Sequence, residues 1–288
     1  MPSLSFKGSE PLAAALPQAL RALSRSCASA RRDAAACPAA GNVRRLRTAA
    51  RRLAAACALV RGLLPRGALR VPRRGLRRLL RSLGGLRDLD AALAWIEAAP
   101  PDPSLGLCAA DLAARRRRQA ARLKCRMARG SGPDPGGATG FAANHLAGLG
   151  DDELSQGLAR ELGRLLARVA RARERAASGD PGRRHRLRIA FRRLRYAAEV
   201  LGPALEAFTD ADLEAMHRCH ALLGRLQDLR VARRAVARFG RSRNPVVRAE
   251  LAPVLEAIDA ERARLLPGIA PALDSALAYW QVRLAAST

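Results

Sequence analysis

The chain has 288 residues, 52 of them Lys or Arg against 25 Asp or Glu, for a formal net charge of +27. Hydrophobic residues make up 49%, enough for a sizeable core, which excludes a disordered polycation. Aromatic residues are only 3% and Ala and Leu dominate, so helices are favoured over sheets, and no apolar run is long enough to span a bilayer.

Helical periodicity covers most of the chain, and Pro/Gly-rich breaks separate the helices. The first predicted helix runs over residues 10–33 and the second over 42–62. In the second, Arg44, Arg47 and Arg51 share one stripe at 3.6-residue periodicity. The third, 73–98, carries Arg74, Arg77, Arg78, Arg81, Gly85 and Asp88 on one face. Gly84, Gly85 and Gly224 are places where a helix or ligand can come close. A fourth, 106–129, aligns Arg115, Arg118, Arg122, Arg126 and Arg129, a pattern that a solvated face explains equally well. The run Gly130–Gly137 reads as a break, making 131–150 a flexible connector between an N-terminal half, 10–130, and a C-terminal half, 151–286.

The C-terminal half repeats the pattern with helices over 151–177, 183–201, 209–239, 247–266 and 270–285; Asp180-Pro181 and Asp210 are start signals. In 183–201, His185, Arg188, Arg192 and Arg195 fall in one stripe, and Leu187, Phe191, Leu194 and Ala198 form an apolar stripe beside it. Such a helix buries one side and presents a row of cations on another. The next helix brings His217, Arg218, Arg225 and Asp228 to positions matching the basic face of 73–98. His217 and His220 stand at i and i+3, a spacing open to a metal, but no third ligand is near and the arginines repel cations. His220 falls toward the apolar side. Six scattered cysteines without CxxC pairing read as small buried hydrophobes in a reducing cytoplasm.

Two segments occur twice, in the same order. Residues 42–53 align with 183–194, so that Arg44 matches His185, Arg47 matches Arg188 and Arg51 matches Arg192. Leu83-Gly84-Gly85-Leu86-Arg87-Asp88-Leu89 then aligns with Leu223-Gly224-Arg225-Leu226-Gln227-Asp228-Leu229. This is the signature of an internal duplication. It predicts an all-α fold of two halves facing each other, each with enough helices for a small bundle. Stripes of guanidinium groups suit a partner with regularly spaced negative charges: nucleic acid, polyphosphate or an anionic membrane surface. Asp88 and Asp228 are expected to hold an adjacent arginine in place. Charge is uneven: residues 1–140 hold 27 basic against 8 acidic side chains, so the first half supplies more of the attraction.

A duplicated His-x-Leu-Arg-(hydrophobic)-x-x-Arg-Arg-Leu-Arg helix, followed by Leu-Gly-x-Leu-Arg/Gln-Asp, resembles the CHAD family, the conserved-histidine α-helical domain. The resemblance covers essentially the whole chain as a single domain over 1–288, including the closing Leu277-Ala278-Tyr279-Trp280. It implies two pseudo-symmetric bundles enclosing a basic surface or cavity that binds inorganic polyphosphate. By resemblance, His185, Arg188, Arg192 and Arg193 line that site, with Arg47, Arg51 and Arg52 opposite. The first repeat departs from the family by having Arg44 where the histidine would stand, which fits charge-based binding better than paired imidazole chemistry. No Glu-x-Glu-x-Lys motif of the triphosphate-tunnel domain is found, so the stand-alone form is expected. The expectation is a cytoplasmic, non-enzymatic polyphosphate binder needing no cofactor, placed on polyphosphate granules or beside polyphosphate-metabolising enzymes. The alternatives are nonspecific nucleic-acid binding, weakened by the scarcity of stacking aromatics, and a polyphosphate-processing enzyme, weakened by the absence of a P-loop or paired carboxylates within the stripes.

Overall fold

A computed structural model describes residues 10–129, 135–177 and 180–285. Among these residues the regular structure is helical and no β-strand occurs. The helices are α1 (Leu12–Ala36), α2 (Ala40–Leu59), α3 (Arg70–Ser82), α4 (Gly84–Glu97), α5 (Pro103–Ala128) and α6 (Pro135–Ala147). They continue as α7 (Asp151–Ala176), α8 (Pro181–Leu201), α9 (Asp210–Arg241), α10 (Pro245–Glu250), α11 (Ala252–Leu265) and α12 (Ile269–Ala285).

Local chemistry sets the boundaries. Asp180 caps α8 by accepting from the Gly182 N–H at 2.7 Å, with Pro181 in the first turn, as its Asp-Pro sequence predicts. Helix α9 starts at Asp210; Thr209 is its cap, and the Thr209 hydroxyl and the Asp212 carboxylate form a reciprocal capping box. The region predicted as one helix over 73–98 is two, α3 and α4, broken at Leu83. The predicted 247–266 helix is likewise split into α10 and α11 at Leu251.

The stretch read as a connector differs more. Residues 130–134, like 1–9, lie outside the described residues, but 135–147 form α6, packed along α1. Ala142, Ala143 and Leu146 are fully buried there, at the i, i+1, i+4 spacing of a helix face. Thr139 donates to Ser24 Oγ at 3.0 Å, and Arg21 donates to Asn144 at 2.7 Å. The Gly and Pro residues preceding this face masked a short apolar seam that tertiary packing stabilises.

The larger core draws on both sequence halves, joining α1, α2, α6, α7, α8, the start of α9 and α12 around Leu46, Leu53, Phe191, Leu194 and Trp280. A smaller core unites α4 and α5 with the end of α9 and with α10 and α11, around Cys108, Val236 and Phe239. Helix α2 packs on α8 and α4 on α9, so the helices carrying the matched motifs are in contact. Four cysteines (Cys27, Cys57, Cys108, Cys219) are buried as expected, while Cys37 and Cys125 are exposed, and all six are free thiols.

Replacing Leu146 by Ala tests the α6 seam. Removing a fully buried leucine should lower the unfolding free energy by about 2–4 kcal/mol in urea denaturation. A loosely attached connector would lose almost nothing.

Candidate anion-binding site

The helices bearing the basic stripes enclose a cleft of about 910 Å³. Helix α2 contributes Arg47 and Arg51; α3 contributes Arg74, Arg77, Arg78 and Arg81; α8 contributes His185, Arg188 and Arg192. Arg87 and Asp88 on α4 and Gln227 on α9 complete its polar lining, and Leu80 and Ile189 its apolar lining. Nine arginines thus face a single carboxylate, and no aromatic ring lines the walls.

The deepest cations come from α2 and α8, whose apolar stripes (Val43, Leu46, Ala50 and Leu53; Leu187, Phe191 and Leu194) are buried in the main core. That burial fixes both helices and draws their adjacent stripes inward. Arg47 is only 7% exposed and Arg188 8%. Arg47 donates to the Leu83 carbonyl at 2.8 Å, so it also anchors the break between α3 and α4. The Arg188 guanidinium runs past Gly224, where an added Cβ would lie 3.9 Å from its Nη2. At Gly85 the close approach is made by Gln119 of α5, 2.6 Å from a built Cβ, so this glycine serves helix packing rather than a ligand. Gly84 faces open space.

Crowding marks the electrostatics. Burial, followed by the neighbouring charges of Arg51 and Arg87, lowers the Arg47 pKa to about 9. Burial with Arg51 and Arg188 brings Arg192 to about 9, and burial with Arg87 and Arg51 brings Arg188 to about 10. Burial, with Arg87 and Arg195, lowers Arg51 as well, although Tyr196 opposes the shift. These groups remain protonated at neutral pH, so the cleft holds desolvated like charges against their mutual repulsion. The Nε of Arg188 is buried with no hydrogen-bond partner, which adds to the cost. An anion in the cleft offsets both terms.

Arg87 is the one cleft arginine clamped by carboxylates. It donates to Asp88 at 3.0 Å and to Asp228 of α9, so the two aspartates hold an arginine as the sequence implied. His185 Nδ1 lies 3.0 Å from Gln227 Oε1; since that oxygen only accepts, the ring proton sits on Nδ1. Burial, reinforced by Arg188, Arg230 and Arg192, lowers the His185 pKa below 6.5, although the Gln227 hydrogen bond opposes this. The imidazole is therefore neutral at pH 7, with Nε2 carrying a lone pair.

Nine of the sixteen residues singled out from sequence line the cleft: Arg47, Arg51, Arg74, Arg77, Arg78, Arg81, His185, Arg188 and Arg192. Seven do not. Arg44 is exposed on the first turn of α2, outside the cleft. Arg52 is exposed and donates to Glu199 at 2.9 Å. Arg193 is exposed and lines an adjoining pocket instead. Arg195, 7% exposed, pairs with Glu199 and lies over the Tyr196 ring, 4.2 Å from its centroid. The His217 Nε2 is 2.9 Å from the same Glu199, Arg218 lies 3.7 Å from Glu214, and Arg225 donates to Glu261 at 2.7 Å. Glu199 follows Arg195 by four residues and so ends the basic stripe with a carboxylate. The stripe predicted from the sequence does not include it. Arg87 and Gln227 were overlooked as cleft residues. They occupy the same position of the duplicated Leu-Gly-x-Leu-Arg/Gln-Asp motif, which was the available signal.

His220, as its apolar placement suggested, packs near Tyr196 with ring centroids 6.5 Å apart, and its Nε2 has no hydrogen-bond partner. Burial, then Arg195, Arg188 and Arg192, pushes its pKa down to about 3. The folded state refuses a proton that the unfolded chain accepts below 6.5. This contribution to stability is therefore intact above 6.5 and lost as pH falls toward 3. The urea midpoint should decline across that window, and His220→Phe should flatten the decline between pH 6.5 and 4.5. An unchanged slope would remove His220 as its source. No group of three or more potential metal ligands occurs among the described residues, and no described helix is long and apolar enough to cross a membrane.

Comparison with known proteins places this arrangement. No curated protein matches the chain. Two solved structures share its fold: the CHAD domain from the plant Ricinus communis, with TM-score 0.65 and 21% identity over 96% of this chain and 93% of that one; and PptA from Streptomyces chartreusis, with TM-score 0.62 and 18% identity over 94% and 100%. The CHAD domain family model matches residues 14–237, most of the chain and every wall of the cleft, and the protein therefore belongs to the CHAD family.

Proposed function

We propose that this protein binds inorganic polyphosphate in the cleft between α2, α3 and α8, as a binding protein rather than an enzyme. The observation that carries the reading is the ratio of nine arginines to one carboxylate in a partly desolvated cleft. A flexible linear polyanion neutralises such a site because each phosphate meets one or two guanidinium forks. The absence of lining aromatics favours a phosphate polymer over a single-stranded nucleic acid, whose bases need stacking surfaces. Family membership supports the same ligand. Against catalysis, the paired carboxylates Asp88 and Asp228 already enclose the Arg87 guanidinium, which takes the place a phosphate-bound metal would need. Cytoplasmic polyphosphate granules are a setting consistent with this activity.

Binding should weaken steeply with salt, log K falling by about 0.7 per phosphate neutralised, as for flexible single strands. Substituting Arg192 by Gln relieves like-charge crowding, so the free protein should melt at a higher temperature while the rise induced by polyphosphate shrinks. A variant that melts lower and keeps its full ligand-induced shift would contradict the role of the cleft. Release of phosphate from polyphosphate in the presence of Mg²⁺ would refute the non-enzymatic reading. Failure of polyphosphate to displace DNA at equal phosphate concentration would favour a nucleic-acid ligand.

pH supplies a separate check. A phosphate beside His185 raises its pKa from the depressed value of the free cleft, so binding takes up a proton. Affinity should rise as pH falls from 7.5 to 6, by up to about tenfold per unit for one proton. His185→Gln should abolish that rise while leaving the affinity at pH 7.5 near that of the parent.

A further inference from the structure

Beyond the cleft, the surface carries a basic path that continues onto α7, a helix outside the sequence motifs. A second pocket of about 230 Å³ shares Arg51, Arg77, Leu80 and Arg192 with the cleft and adds Arg168 and Arg193 on its far wall. Its one carboxylate, Glu161, is engaged by Arg164 at 3.1 Å. Arg168 in turn lines a third pocket, of about 150 Å³, whose other walls are Arg171, Arg175, Arg183, Arg186 and Ala172. The three are therefore continuous, each sharing lining residues with the next.

The third pocket is a groove between two packed helices. Arg168, Arg171 and Arg175 recur at i, i+3 and i+7 on α7, one face spanning about 10 Å of helix rise. Arg183 and Arg186 stand at i and i+3 on α8, which packs against α7. No carboxylate lines the groove. Two other α7 arginines are paired with acids, Arg164 with Glu161 and Arg173 with Asp274 at 2.7 Å. The groove wall itself is lined by five arginines and one alanine, with Asp180 at the α8 cap 3.7 Å from Arg183. Within about one Debye length these cations repel one another and favour an anion between them.

We propose that this α7–α8 groove is an outer anion site for the polyphosphate chain held in the cleft, reached through the second pocket. The inference rests on the reading of the cleft given above. A chain too short to leave the cleft engages only the inner arginines. A longer one engages both sites, and the outer contacts act at high effective concentration because the chain is already tethered. The protein consequently discriminates by chain length, through reach rather than through any contact with a chain end.

The test uses the full chain with Arg168, Arg171 and Arg186 changed together to Glu, and in a second variant to Gln, which keeps the groove free of new charge should the first fold poorly. Tripolyphosphate and a long-chain polyphosphate are titrated calorimetrically at several salt concentrations. Tripolyphosphate affinity should stay within about twofold of the parent, whereas long-chain affinity should fall by about tenfold or more. The salt slope for the long chain should be smaller by about 2, the share of three lost phosphate contacts. Unchanged long-chain binding overturns the outer site while leaving the cleft intact, and so does an equal loss for both probes, which marks a general field effect. A parent protein that binds neither probe overturns the reading of the cleft itself.

Discussion

The rest of the structure depends on one electrostatic separation: only one carboxylate, Asp88, lines the arginine-rich cleft, while others sit beside arginines outside it. With a net charge of +27, pairing is a scarce resource. Glu199 serves Arg52, Arg195 and His217 together at the C-terminal end of the α8 stripe, outside the cleft, and Asp259 serves Arg233 and Arg262. Asp90 takes Arg116, and Glu261 takes Arg225. Each such pair is worth little by itself near the surface. Their collective effect is to leave the cleft with nine arginines against one carboxylate.

Holding these cations at close range needs walls that do not yield. The cores supply them. Helices α2 and α8 are each buried along one stripe, with Leu46, Leu53, Phe191 and Leu194 at 0% exposure, so neither can rotate to carry its arginines into solvent. Arg47 is further fixed by the Leu83 carbonyl and Arg87 by Asp88 and Asp228. The result is preorganisation: the repulsion is accepted during folding, and an arriving polyanion meets donors already ordered. It also implies that the free protein is less stable than its apolar packing alone would make it, and that ligand and fold are thermodynamically coupled.

Much of this was legible in the sequence because the periodicity of helices is. The stripe of Arg47 and Arg51, that of His185, Arg188 and Arg192, and the α3 face all follow from 3.6-residue spacing, and the duplication identified which of many basic helices mattered. What periodicity cannot show is where along a stripe a cavity ends. Arg44 and Arg195 obey the same spacing as their neighbours, yet one lies beyond the mouth and the other is taken by Glu199. Matching positions in the second segment mislead for a related reason: His217 and Arg218 correspond to the cleft residues Arg77 and Arg78 of α3, but on α9 they lie beside Glu199 and Glu214. Helix α6 escaped because its glycine-rich start outweighs a three-residue apolar seam until α1 is present to cover it.

The asymmetry between the repeats has a consequence of its own. At the shared motif position the first repeat has Arg87 and the second Gln227, and at the start of the paired helices the first has Arg44 and the second His185. In the second repeat these partners form a neutral hydrogen bond, Gln227 holding the His185 tautomer. In the first, an arginine pair at the same positions could not face each other, and Arg87 instead crosses to Asp228 of the other repeat while Arg44 remains exposed. The two matched segments thus differ in their contacts: one carries a hydrogen bond between α8 and α9, and the other an ion pair from α4 to Asp228 of α9 that joins the two sequence halves.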